Sequence, residues 1–89
     1  MIQILPIDAD TFEVAVSAQI PSVHRVTVTD AIHREYTSGR LTKIELLERS
    51  FEFLLARESN TSILSEFRIE IIEMYFSEFR NWIATHTVK

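Results

Sequence analysis

The stretch that decides the fold is Val26-Thr27-Val28-Thr29-Asp30, together with the segment from Leu41 to Glu58. The first part alternates apolar and polar residues, as a strand with one buried face does, and ends in residues that can cap a helix. The second part has apolar residues at helical spacing. It starts at Thr42 and Glu45, which form a capping box in which each side chain binds the other residue's backbone N–H. This order predicts strands followed by helices.

More strand is predicted on the N-terminal side of this stretch. Phe12 to Ile20 alternates cleanly, which places Phe12, Val14, Val16, Ala18 and Ile20 on the buried face. Ile2 to Leu5 is a short apolar run ended by Pro6, which cannot donate a ladder hydrogen bond. His24 to Thr29 resumes the alternation, with His24 at the rim of the sheet. We expect Val26 and Val28 to pair beside Phe12–Ile20 of the same molecule.

Two helices are predicted next. Asp30 to Ser38 forms a short helix, and Gly39, the only glycine of the chain, suits the left-handed position after its end. The main helix runs from Lys43 to about Arg57. Its buried face is predicted to hold Ile44, Leu47, Phe51, Leu54 and Leu55, and Leu46 and Phe53 widen that stripe.

In the C-terminal third, the sequence predicts a polar break at Ser59-Asn60-Thr61-Ser62 and helical structure after it. Ile63 to Phe67 predicts a single helical turn. A last helix is predicted from Ile69 to Ile83, and Ser77, a weak helix former, marks the point where it can bend or split.

These patterns predict one α+β domain over residues 1–84 and a frayed tail over residues 85–89. A short N-terminal antiparallel sheet of two or three strands packs against two main amphipathic helices and one short helix. A chain of 89 residues buries only about 60–65% of its unfolded surface, yet 46% of its residues are hydrophobic. We therefore expect a homodimer, because a small monomer hides so much apolar material with difficulty.

Several functional classes lack their usual residues. The chain has no cysteine for a disulfide or a thiolate zinc site, and its single glycine cannot build a phosphate-binding loop. His24, His33 and His86 have no metal-ligand spacing. We expect no cofactor, no metal and no enzymatic activity, since an enzyme would need a buried pocket with a perturbed carboxylate or histidine. Without a signal peptide or an apolar run of ~20 residues, a bacterial cytoplasmic protein with no membrane association is expected.

An aromatic cluster near the end of the last helix offers a candidate partner surface. Tyr75, Phe76 and Phe79 keep the spacing of a buried stripe, which favours the core. Tyrosine and tryptophan are enriched in binding hot spots, which favours an interface. We take Trp82, Phe79 and Tyr75 as the candidate partner surface, with core packing as the alternative.

Two segments resemble known families. Arg25-Val26-Thr27-Val28-Thr29 and the segment from Leu41 to Phe51 resemble the strand and second helix of ribbon-helix-helix DNA-binding proteins and antitoxins. The resemblance implies a dimeric ribbon that reads the major groove and a helix N-terminus that holds a phosphate. It places bases against Arg25, Thr27 and Thr29, and the DNA backbone against Thr42 and Lys43. Against it, the chain carries a net charge of −4, and only residues 21–49 are basic, at +1.

The second resemblance covers the C-terminal half. Ser50 to Glu58, Ser62 to Leu64 and Tyr75 to Phe79 are similar to a group of short uncharacterised bacterial proteins that often carry proline where this chain has Ser77. It implies no activity and no ligand.

Taken together, these sequence features lead us to expect a small soluble, non-catalytic protein-interaction module that self-associates and binds a protein partner. The alternative is a ribbon-helix-helix-like regulator or antitoxin, the only interpretation with a nucleic-acid partner.

Overall fold

A computed structural model describes residues 1–86. Its four-stranded sheet has the order β1-β2-β3-β4, and its helices cover one face of that sheet. β1 to β3 are antiparallel, whereas β4 runs parallel to β3. The strands are β1 Ile2–Pro6, β2 Thr11–Val16, β3 Ser22–Thr27 and β4 Glu66–Arg68, and the helices are α1 Asp30–Thr37, α2 Lys43–Leu55, α3 Ile71–Tyr75 and α4 Phe79–His86. The α+β class is confirmed, with four strands where two or three were expected and four α-helices where three were expected.

The pairing of β2 with β3 matches the prediction. Val26 lies opposite Phe12 within the chain, and the Val28 N–H donates to the Asp10 carbonyl at 2.7 Å. Both valines are fully buried. Apolar residues of this face build the core with α2, α3 and α4, and this burial is the main source of stability.

The predicted length of the second strand is wrong. β2 ends at Val16, which pairs with Ile2 on one side and Ser22 on the other. Residues 17–21 form the loop of the hairpin, so Ala18 is exposed and Ile20 is 66% exposed. The alternating pattern does not show where the neighbouring strands end, and their ends determine the length of β2.

α2 carries the predicted cap and buries most of the predicted stripe. The Glu45 N–H donates to Thr42 Oγ1 at 3.0 Å, and the Thr42 N–H donates to Glu45 Oε1 at 2.9 Å. The helix ends at Leu55, two residues earlier than predicted. The predicted face is wrong at Ile44 and Leu55, which are both exposed. The buried positions are Leu46, Leu47, Ser50, Phe51, Phe53 and Leu54.

α1 begins and ends close to the predicted positions. Thr29 Oγ1 accepts from the Ile32 N–H at 3.3 Å, and Ser38 and Gly39 have φ angles of 53° and 77°. Gly39 therefore has the left-handed conformation that the sequence predicted. Two consecutive left-handed residues turn the chain toward α2.

The C-terminal third differs most from the prediction. Instead of a helical turn at Ile63–Phe67, the chain forms a short 3₁₀ turn at Asn60–Ser62 and then β4. The single helix predicted from Ile69 to Ile83 is broken between Tyr75 and Phe79, where Phe76 is extended. The bend at Ser77 is thereby confirmed.

α4 continues through His86, and residues 87–89 of the expected tail lie outside the described part. Among residues 1–86, no helix combines the length and the apolar character needed to cross a lipid bilayer.

Candidate functional site

An apolar groove opens on the surface between the end of α2, the segment after the 3₁₀ turn, and α3. Its volume is about 290 Å³. Small-molecule sites usually enclose ~300–1,000 Å³, so this groove has room for one or two side chains. Its lining is Leu54, Glu58, Ser62, Ile63, Leu64, Phe67, Ile71, Ile72, Tyr75 and Phe76.

The groove combines a buried floor with an exposed apolar rim. Ile63, Phe67 and Ile72 belong to the core cluster and form the floor. On the rim, Leu64 is 48% exposed and Tyr75 is 69% exposed. Exposed apolar side chains around a concavity with an apolar floor are a feature of binding grooves.

One carboxylate lies in this apolar lining. Glu58 is half-buried, and among the described residues no cation lies within ion-pair distance of its side chain. Its backbone N–H donates to the Leu54 carbonyl at 2.9 Å, which continues the helical turn after α2. A partner with a lysine or arginine beside apolar side chains would match this combination.

A buried polar chain holds the rim residue Leu64 to the sheet. Asn60 Nδ2 donates to Ser22 Oγ at 2.8 Å, and Ser22 Oγ lies 2.8 Å from His24 Nε2. His24 Nδ1 lies 2.7 Å from the Leu64 carbonyl. A carbonyl only accepts, so Nδ1 carries a hydrogen and donates it to Leu64.

His24 is therefore in the interior, and its predicted place at the rim of the sheet is wrong. It is almost completely buried, and its ring lies 5.6 Å from that of Phe51. Asn60 Nδ2 also donates to the Ile20 carbonyl at 2.8 Å. Buried polar groups without hydrogen-bond partners are costly. Because these groups all have partners in this arrangement, the hydrogen bonds favour one position for the segment that forms the groove rim.

Behind the groove, a charged cluster joins α3 to α1 and α4. Tyr36 Oη donates to Glu73 Oε1 at 2.5 Å, and Arg80 binds both oxygens of Glu73 at 3.0 Å. Arg80 Nη2 also donates to Glu35 Oε2 at 2.7 Å. Hydrogen bonds from Arg80 and Tyr36 hold the pKa of Glu73 below its usual range. Burial and the bond to Glu73 raise the pKa of the Tyr36 phenol. The cluster keeps the short α3 in place.

The predicted partner surface is divided between the rim and the interior. Tyr75 lies on the groove rim, but Phe79 is fully buried, 5.1 Å from the ring of Phe53, and presents no surface to a partner. Trp82 is half-buried outside the groove, 5.4 Å from Phe53 and stacked on His86 at 3.8 Å. Of the three residues, the groove contains Tyr75 alone.

Sequence reasoning missed Leu64 and Glu58 as site residues. The sequence pattern predicts a helical turn at Leu64 and indicates no role for Glu58. No local sequence pattern marks Leu64 or Glu58 as a groove residue. The groove forms only when β4 brings the segment after the 3₁₀ turn alongside α2.

The three histidines occupy separate environments. His24 belongs to the polar chain, His33 Nε2 bonds to the Leu41 carbonyl, and His86 stacks on Trp82. In the described part of the chain, no three His, Cys, Asp or Glu side chains are arranged to hold a metal ion.

β3 has no free edge for an intermolecular ribbon. It pairs with β2 on one side and with β4 on the other, so the dimeric ribbon implied by the ribbon-helix-helix resemblance does not form through β3 in this fold. Arg25 is exposed on the outer face and Thr27 is half-buried, while Thr29 is engaged as the cap of α1.

The two residues placed against a DNA backbone are also engaged within the chain. Lys43 Nζ lies 3.0 Å from Asp10 and 2.7 Å from Asp30. Partial burial acts to lower the pKa of Lys43, but these carboxylates raise it overall. Thr42 belongs to the capping box. The chain has no significant match among family models, curated proteins or solved structures.

Proposed function

We propose that the protein is a non-catalytic cytoplasmic interaction module that binds a partner protein in the apolar groove. The observation that carries this proposal is the exposed Leu64 and Tyr75 rim around a buried floor. Covering that rim would remove apolar surface from water, which stabilises a complex by about 25 cal/mol per Å² before the costs of association.

The partner element that fits is an amphipathic helix with bulky apolar side chains and a neighbouring lysine or arginine. The apolar side chains would fill the groove, in the manner of a helix bound in a hydrophobic groove. The basic residue would reach Glu58, whose carboxylate has no cation beside it among the described residues. The net charge of −4 favours the approach of a basic segment.

Two fluorescent helical peptides of equal length test the proposal, one made of leucine and lysine and the other of leucine and glutamate. Fluorescence anisotropy should show the lysine peptide binding at least about tenfold more tightly, a difference of ~1.4 kcal/mol. Glu58→Gln should remove most of this preference. If both peptides bind equally, or neither binds, the proposal is wrong.

A matched pair of variants on α3 locates the binding site. Tyr75→Ala should weaken binding of the lysine peptide by about tenfold, as the loss of a hot-spot aromatic does. Met74→Ala is the control, because Met74 is 80% exposed on the same helix and does not line the groove. Equal effects of the two variants would show that the peptide binds elsewhere.

A further inference from the structure

The outer edge of the sheet exposes unpaired backbone groups of β1. The Ser17 N–H donates to the Met1 carbonyl at 2.8 Å, and the Ile7 N–H donates to the Thr11 carbonyl at 2.9 Å. Since hydrogen-bonded pairs alternate in an antiparallel ladder, the odd-numbered residues of β1 bond to β2. The N–H and C=O groups of Ile2 and Ile4 therefore point away from the sheet, and within residues 1–86 no other strand pairs with them.

This edge lacks the usual protection against pairing. β1 is an uncharged strand of five residues, and only Pro6, at its end, discourages an added strand. The opposite edge is β4, which has only three residues and places Glu66 and Arg68 on either side of Phe67. An uncharged edge with free donors and acceptors is a ready template for another strand.

We infer that two copies of this chain pair antiparallel through β1, with Ile4 on the twofold axis. This register matches all five residues of β1 with all five of the second copy. The Ile4 N–H of each copy donates to the Ile4 carbonyl of the other, and each Ile2 N–H donates to the Pro6 carbonyl of the other. Pro6 has no N–H and cannot donate to the second copy. This suits the end of the ribbon, because no backbone donor is left there without a partner. The result is a continuous eight-stranded sheet.

The same register brings exposed apolar side chains together on the outer face. Leu5, 53% exposed, lies opposite Gln3 of the second copy and diagonal to Leu5 of the second copy. Met1 and Ile7, both exposed, lie opposite each other across the axis. Directly opposed and diagonal side chains on one face of an antiparallel pair make contact. This self-complementarity favours a second copy of the chain over an unrelated strand.

The charges near the edge permit this approach. Glu48, Arg49 and Glu52 line a concavity beside Ile2. Each copy therefore brings both signs of charge to this part of the edge.

Sedimentation equilibrium over a concentration range from about 5 to 500 µM tests the inference, because dimer formation depends on concentration. The chain should carry its purification tag at the carboxyl end, away from β1. The average mass should rise with concentration from 10.4 kDa toward twice that value. Hydrogen exchange at the same concentrations should show protection of the Ile2 and Ile4 amides that increases with dimer formation.

A matched pair of lysine variants identifies the edge. Leu5→Lys puts like charges diagonal to each other across the axis and should raise the dimer dissociation constant at least about tenfold. Val23→Lys is the control, because Val23 is 57% exposed on the same face of the interior strand β3. Both variants change the net charge from −4 to −3 and so lessen general repulsion equally.

Three results would overturn the inference: a strict monomer at all concentrations, a dimer indifferent to Leu5→Lys, or equal weakening by Val23→Lys. Tyr75→Ala should leave the dimer unchanged, since Tyr75 lies in the groove and not on β1. Loss of peptide binding with an intact dimer, or the reverse, would thus separate this inference from the proposed function.

Discussion

Replacing Asn60 by alanine should destabilise the protein by about 2 kcal/mol. Asn60 is buried, and its Nδ2 donates two hydrogen bonds of 2.8 Å, to the Ile20 carbonyl and to Ser22 Oγ. Each buried hydrogen bond contributes ~0.5–1.5 kcal/mol net, so two give about 2 kcal/mol. For a domain of this size, 1 kcal/mol shifts the melting temperature by ~4–8 °C. The expected decrease is therefore about 8–16 °C.

Urea denaturation followed by far-UV circular dichroism measures this loss. The midpoint should fall while the slope of free energy against urea stays constant, because the surface exposed on unfolding hardly changes. Thr61→Ala is the matched control in the same 3₁₀ turn. Thr61 is exposed, and its hydroxyl lies 3.2 Å from that of Ser59, so its replacement should change stability by less than about 0.5 kcal/mol.

A double-mutant cycle tests whether the polar chain acts as one unit. Asn60 and His24 both bind Ser22 Oγ, so Asn60→Ala and His24→Phe should be non-additive by at least ~0.5 kcal/mol. If Asn60→Ala is no worse than Thr61→Ala, or if the two replacements simply add, the buried chain does not hold the groove rim as argued.

Three further predictions concern the core and its supports. Glu73→Gln should destabilise by about 1 kcal/mol at pH 7, since exposed ion pairs contribute ~0–1 kcal/mol and charged hydrogen bonds somewhat more. The folded-state pKa of Glu73 is lowered, so its stabilisation is present above the ordinary pKa of ~4.3 and lost as the pH falls below it. Urea denaturation at pH 7 and pH 3 should therefore show a smaller difference from wild type at pH 3; an unchanged difference would contradict this. Phe53→Ala should cost ~3–5 kcal/mol in urea denaturation, because the ring is fully buried against Phe76, Phe79 and Trp82; a loss below ~1 kcal/mol would contradict its central position. Thr42→Ala should lower thermal stability by ~1 kcal/mol through loss of the cap, and no change in melting temperature would mean that the box contributes nothing.

The break between α3 and α4 gives the groove its rim. The extended Phe76 ends α3 after Tyr75, and the chain turns before α4 begins at the buried Phe79. Tyr75 is left at the end of a short helix, where its ring stays exposed. A continuous helix would place Tyr75 and Phe79 on one face, whereas here one is on the surface and the other is in the core.

Features that depend on neighbours along the chain were predictable. The alternation at Phe12–Val16 and Val26–Val28, the capping box of Thr42 and Glu45, and the left-handed Gly39 all occur where the sequence placed them. Each depends on the backbone and side chains of a few adjacent residues. The bend near Ser77 belongs with these features, because weak helix propensity is a local property.

The candidate site could be predicted only at Tyr75. Leu64 forms the rim because its carbonyl binds His24, forty residues away in sequence. Glu58 belongs to the site because α2 ends beside β4 and α3. Phe79 and Tyr75 share a helical period in the sequence, and only the break in the chain separates them.

The sequence by itself determined the α+β class, the β2–β3 pairing and the caps of α1 and α2, because periodicity and capping act over a few residues. Only the tertiary structure decided the parallel β4, the burial of His24 and the exposure of the β1 edge. β4 is three residues long, which is too short for an alternating pattern to be recognised in the sequence. It also pairs with a strand about forty positions earlier in the chain. The core that β4 completes stabilises it there, because Phe67 is buried beside Val26 and Phe51.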